Sequence, residues 1–254
     1  MHTIISYDGS FDGFLSCIFA IYEHRIQHPI IEKNSSSTDQ LFSDRIYIHT
    51  EEEKAKRVWS KLVLISSTSI QHKIFRTFLS EIKGSENILF NLIKRFFEGE
   101  SNVDKDFSNK DILKITQVAK MVGREKHRME AFVRFQLTKD GLYVATIEPD
   151  FNVLPLIIPH FKDRYSDQKW LIYDLKRAYG IYYDLEQVDI ITVDFFSKNH
   201  VHIPEEHLDP TEKEFQKIWS SYYQSVNIKS RKNTKLHLQH IPKRYWKYMT
   251  EKIT

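Results

Sequence analysis

Apolar residues in this chain recur with two different periods, and the two occupy separate stretches. From Ser69 to about Lys126 they return at three- and four-residue steps; from Met129 to Ile147 they alternate. A helix buries one face at a period near 3.6 and a strand at a period of 2, so neither element can satisfy the other's pattern. A change of period midway therefore predicts an α+β fold rather than a regular doubly wound one. The expected order is an N-terminal strand-helix-strand unit, central helices, a strand-rich hairpin region and C-terminal helices.

In detail, Thr3 to Tyr7 predicts a short buried strand, Asp8-Gly9-Ser10 a turn, and Phe11, Phe14, Leu15, Ile18, Phe19 and Tyr22 a helix. Arg45 to His49 predicts a second strand. Thr50 with Glu53 reads as a capping box for a helix carrying Ala55, Val58, Trp59, Leu62 and Val63. Two strands separated by a helix suggest a parallel βαβ unit. Helical spacing then runs from Ser69 to about Lys126. Ala131 to Gln136 and Leu142 to Ile147 predict a hairpin around Lys139-Asp140-Gly141, and Lys169 to Tyr173 with Gly180 to Asp184 a second one. A helix is expected between them near Val153 to Tyr165. Another spans Thr211 to Ser225, with Phe215, Ile218, Trp219 and Tyr222 facing one way. The chain is expected to form one α+β domain over 1–254, divisible into 1–126 and 127–254.

At 41% hydrophobic residues, 254 residues can bury a sizeable core. The single cysteine, Cys17, lies in an apolar run and reads as a core thiol; one thiol excludes an internal disulfide, an iron-sulfur cluster and a Cys-based zinc site. No stretch approaches the roughly 18 to 20 apolar residues of a membrane span, and the start lacks a basic leader, so a cytoplasmic, reducing compartment and no membrane partner are expected.

Net charge is +3, but its distribution is uneven. Between Lys229 and Lys252 stand eight Lys/Arg against one acid, Glu251, which leaves the remainder net acidic by about 4. Lys229, Arg231, Lys232 and Lys235 form the first part of this tract, and Lys243, Arg244, Tyr245, Trp246 and Lys247 the second. Cations interleaved with aromatics neutralise phosphate and stack on bases. The same aromatics also fit the apolar face of a terminal helix packed on the core. His237 and His240 extend the basic patch as pH falls.

Other chemistry is weakly signalled. Asp8 and Asp12 flank a strand-to-helix turn that matches no phosphate-binding fingerprint, and a structural turn capped by Ser10 explains it, with a catalytic carboxylate as the alternative. His200 and His202, with His207 and Glu205 or Glu206, could face one side of a strand as metal ligands, against an exposed polar loop. No nucleophile elbow, His-Glu-x-x-His or Cys-His pairing is present.

Three segments, Tyr7-Asp-Gly-Ser-Phe-Asp-Gly-Phe, Glu125-Lys-His-Arg-Met-Glu-Ala-Phe-Val-Arg-Phe and Pro242-Lys-Arg-Tyr-Trp-Lys-Tyr, together resemble an uncharacterised bacterial family assigned to DNA metabolism, whose members contain the domain of unknown function 4130. The resemblance implies a DNA partner and an association with a radical S-adenosylmethionine protein of DNA repair or modification. It supplies no catalytic residues. Any iron-sulfur cluster or S-adenosylmethionine would belong to the partner, because one cysteine cannot provide three thiolates. His127, Arg128 and Arg134 join the C-terminal tract on this ground as candidates for binding or structure. A DNA-processing enzyme and a protein-interaction scaffold are the alternatives.

Overall fold

The computed structural model describes residues 2–34, 44–100, 103–192, 203–226 and 234–253. The chain divides into two compact units, Met1–Gly123 and Arg124–Thr254. Both combine helices with a sheet, as the change of period predicts.

In the first unit, β1 (Thr3–Tyr7) is the central strand of a parallel sheet, between β2 (Pro29–Lys33) and β3 (Asp44–Tyr47). Its Ile4, Ile5, Ser6 and Tyr7 are all buried, which is what a strand covered on both sides requires. β2 is absent from the sequence reading; Pro29 is tolerated because it is the first residue of an edge strand. Asn87 covers part of its backbone, its side-chain amide accepting from the Ile31 N–H and donating to the Ile31 carbonyl at 2.9 and 3.1 Å.

Helix α1 (Phe11–Glu23) leaves β1 through a turn capped by Ser10, whose hydroxyl accepts from the Gly13 N–H at 2.9 Å. Cys17 lies fully buried in this helix, and burial raises its thiol to about 12, consistent with a core role. The first unit continues with α2 (Glu52–Ile65), α3 (Thr68–Leu79) and α4 (Ser85–Phe97), and α5 (Lys110–Phe132) crosses the boundary between the units. The expected capping box is corrected: Glu51 is the N-cap of α2, and the Thr50 hydroxyl instead donates to Asp8 at 2.7 Å. Val63, expected on the core face, is exposed, while Ala55, Val58 and Leu62 are buried.

In the second unit α5 runs on to Phe132, so Ala131 and Phe132 are helical where alternation suggested a strand. Only β4 (Gln136–Leu137) remains of that strand, paired antiparallel with β5 (Tyr143–Ile147). The sheet order is β4-β5-β6-β7-β8, with β6 at Trp170–Asp174, β7 at Tyr179–Tyr183 and β8 at Val188–Ile191. β5 and β6 are parallel, and α6 (Leu154–Arg164) is the crossover between them. Trp170, Tyr183 and Phe161 pack ring against ring beneath α6. The C-terminal part comprises α7 (Glu212–Val226), α8 (Thr234–His240), a 3-10 segment Lys243–Tyr248 and α9 (Thr250–Ile253).

Candidate nucleic-acid interface

Pro242 opens the 3-10 segment Lys243–Tyr248. A 3-10 turn eclipses residues three apart, so Tyr245 and Tyr248 project to one side, and Glu251 continues the same step into α9. All three are buried, at 2%, 8% and 7% exposure. Lys243, Arg244 and Lys247 lie off that stripe and are exposed.

Each member of the buried stripe meets a polar partner. The Tyr245 hydroxyl donates to Glu125, whose carboxylate also accepts from the Asp150 N–H at 2.8 Å and from Arg128 at 3.4 Å. Tyr248 donates to Glu148 at 2.7 Å. Glu251 accepts a two-pronged contact from Arg134 at 2.7 and 3.2 Å and the Trp219 indole N–H at 2.9 Å. Burial, reinforced by Glu125 and Glu148, pushes both tyrosines up, so both remain donors. Burial alone would raise Glu251, but the bonds from Arg134 and Trp219 outweigh it and hold its carboxyl below the ordinary range.

The cations split into two kinds. Arg244 pairs with Asp150 at 2.5 Å and donates to the Tyr245 oxygen at 2.7 Å, and Lys247 pairs with Glu148 at 2.7 Å. Arg128 pairs with Glu125. Lys235, in α8, and Lys243 are exposed and make no ion pair among the described residues. His127 is 86% exposed, 4.0 Å from Glu130. Trp246 is half-buried: its indole N–H donates to the Ile241 carbonyl at 3.0 Å, and Lys252 and His237 lie against its ring. The structure thus brings Arg128, Arg244 and Tyr245 together around Glu125, and Tyr245 is core rather than a stacking face. Lys229, Arg231 and Lys232 lie outside the described residues.

Glu125, Glu148 and Asp150 are not singled out by the sequence, since a lone carboxylate carries no local signal; Arg134 is a candidate through the family resemblance, and the structure places it against Glu251. Glu125 stands inside the middle segment that carries the family resemblance, which is the available clue to it.

The alternative sites fare differently. Asp8 is slightly buried, which acts to raise its carboxyl, but hydrogen bonds from Ser10 and Thr50 outweigh this and lower it. Its oxygens are occupied by the turn they hold. Asp12 is exposed in the first turn of α1. His207 lies 3.5 Å from Glu206, and His200 and His202 fall outside the described residues. Among the described residues no three His, Cys, Asp or Glu side chains are grouped to hold a metal ion, and no helix is long and apolar enough to cross a membrane. Cys17, buried and alone, does not fit an iron-sulfur cluster.

No curated protein matches the chain. Among solved structures it is similar to the pGpG-specific phosphodiesterase PggH from Vibrio cholerae, at 10% identity and a TM-score of 0.35, over 71% of this chain and 81% of that one. Nothing about this chain's chemistry follows from a likeness at that level. A family model does match, over residues 83–251, so that the middle and C-terminal segments of the resemblance fall inside it and Tyr7 to Phe14 outside. With two thirds of its length matched, the chain belongs to the family described as domain of unknown function DUF4130.

Proposed function

We propose that this protein is an accessory factor of DNA metabolism that binds nucleic acid through its C-terminal basic tract. The observation that carries this reading is the sidedness of the segment Lys243–Lys252. Its period-three stripe is buried, while Lys243, Arg244 and Lys247 are exposed. Exposed cations on a fixed scaffold can exchange weak surface ion pairs for phosphate contacts, because such pairs are worth only about 0 to 1 kcal/mol. Lys235 and Lys243 need no such exchange. Lys229, Arg231 and Lys232 lie between α7 and α8 in sequence and extend the same charge, and His127 and Arg128 are offered as secondary contacts.

The chemistry of any repair or modification is assigned to a separate protein. A radical S-adenosylmethionine enzyme would be a suitable partner, since it would bring the thiolates that this chain lacks.

Titration of labelled DNA against the full chain tests the reading. With about five phosphate contacts, affinity falls by roughly two to three decades between 50 and 200 mM salt. Absence of binding, or binding indifferent to salt, overturns it.

A further inference from the structure

Three cations reach one short loop. β5 ends at Ile147, and Glu148-Pro149-Asp150 follow it on the way to α6. Lys247 pairs with the Glu148 carboxylate at 2.7 Å and Arg244 with that of Asp150 at 2.5 Å, so two acids of the loop each hold a cation of the C-terminal tract. Lys176, in the turn between β6 and β7 and outside that tract, donates to the Asp150 main-chain carbonyl at 3.0 Å. A carbonyl carries no full charge. Lys176 is exposed and makes no ion pair among the described residues, so its charge stands unbalanced beside the Arg244–Asp150 pair.

The two tract cations have a second support besides their acids. The Arg244 guanidinium lies 4.6 Å from the Tyr245 ring and the Lys247 ammonium 4.9 Å from the Tyr248 ring, and both tyrosines are buried. A cation is attracted to such a ring face, so both stay in place when an acid is withdrawn. Arginine grips a carboxylate and a phosphate with the same forked geometry, which makes Asp150 a chemical stand-in for a phosphate. Its side chain is 48% exposed and bonds Arg244, whereas Glu148 is also tied to buried Tyr248. Exposed ion pairs contribute little, so Asp150 is the acid that an arriving phosphate displaces with least loss.

We infer that Arg244, Lys247 and Lys176 form one phosphate-binding surface, and that the Asp150 carboxylate occupies it in the free protein as an internal competitor of nucleic acid. This rests on the nucleic-acid reading above and deepens it by adding Lys176 as a contact and Asp150 as the group that opposes binding.

The test titrates a labelled DNA duplex at 50 mM salt with the full chain as wild type, Asp150→Asn, Arg244→Ala and the double variant. Asp150→Asn removes the charge and keeps the main-chain groups, so its melting temperature should match the wild type. It should bind the duplex about two- to fivefold more tightly, and that gain should vanish in the Arg244→Ala background. Lys176→Ala should leave the melting temperature unchanged and reduce the slope of log affinity against log salt by about 0.9. With the wild type binding, no gain in Asp150→Asn overturns the competitor and leaves the basic-tract reading standing. A gain undiminished without Arg244 does the same, since a general loss of negative charge produces it. An unchanged slope in Lys176→Ala overturns the shared surface. Failure of the wild type to bind DNA removes both readings, and binding of polyglutamate in its place makes the surface a protein-docking one.

Discussion

The hydroxyl of Tyr245 donates to the buried carboxylate of Glu125, 120 residues earlier in the chain. This contact anchors the C-terminal tract to α5. Tyr245→Phe leaves Glu125 with the Asp150 N–H and Arg128 but without its hydroxyl donor, and should cost about 1 to 3 kcal/mol. Tyr245→Ala adds a cavity and should cost about 3 to 5 kcal/mol. Urea unfolding of the two variants measures both, and a Phe variant as stable as wild type would show that the hydroxyl contributes nothing.

Glu251 and Arg134 form the second anchor, with the carboxylate side chain only 1% exposed. Arg134→Ala strands a buried charge and is expected to destabilise by about 3 to 5 kcal/mol. Calorimetry on the variant checks it; Glu251→Gln should be milder, because the amide keeps an acceptor for Trp219.

The pH dependence follows from the sign of the shift. The folded Glu251 carboxyl is lowered, so its stabilisation is fully present above the ordinary glutamate value of about 4.3 and fades as pH falls through the lower folded value. Asp174 works oppositely: burial raises it against the pull of Arg177, so its contribution improves as acid is added. Comparing wild type with Glu251→Gln isolates the first group, and the variant's stability should vary less with pH in the acid range.

Lys235 and Lys243 offer the cleanest test of the binding surface, since neither makes an ion pair among the described residues. Each Ala substitution should reduce the slope of log affinity against log salt by about 0.9 on duplex or 0.7 on single strands, with the melting temperature unchanged. Salt series on the two variants decide whether these lysines touch phosphate.

Gly13 is required by the Asp8 turn. A Cβ there would stand 2.3 Å from an Asp8 carboxylate oxygen, 2.8 Å from the Thr50 hydroxyl and 2.9 Å from the Ser10 hydroxyl. Gly13→Ala should therefore cost about 1 to 3 kcal/mol by displacing that cradle, read as a drop in the urea midpoint.

Much of the fold was legible because its elements are strongly periodic. The three middle helices, the turn at Lys139-Asp140-Gly141, the α6 segment with its two prolines and the β6/β7 hairpin all match their patterns. The misreadings occur where a short signal met a longer-range demand. Ala131 and Phe132 alternate like a strand, but extending an existing helix adds a hydrogen bond per residue without a new nucleus. Thr50 has the chemistry of a cap, yet Asp8, 42 residues away, takes its hydroxyl. β2, five residues opened by a proline, offers too few positions for a period to show.

By itself the sequence determined the kinds of element, their order and the charge anomaly near the C terminus, since period and composition are local properties. Only the tertiary structure decided which way each face points. Tyr245 and Phe215 both belong to apolar, aromatic stripes on C-terminal helical segments, yet one is buried and the other exposed. The difference lies in their distant partners: Glu125, Glu148 and Arg134 satisfy the polar groups of the first stripe inside the protein, whereas α7 turns inward Glu212, which accepts from the Leu137 N–H, and the Trp219 indole N–H, which donates to Glu251. Periodicity groups residues onto a face, and only the free energy of burying that face against what lies opposite orients it.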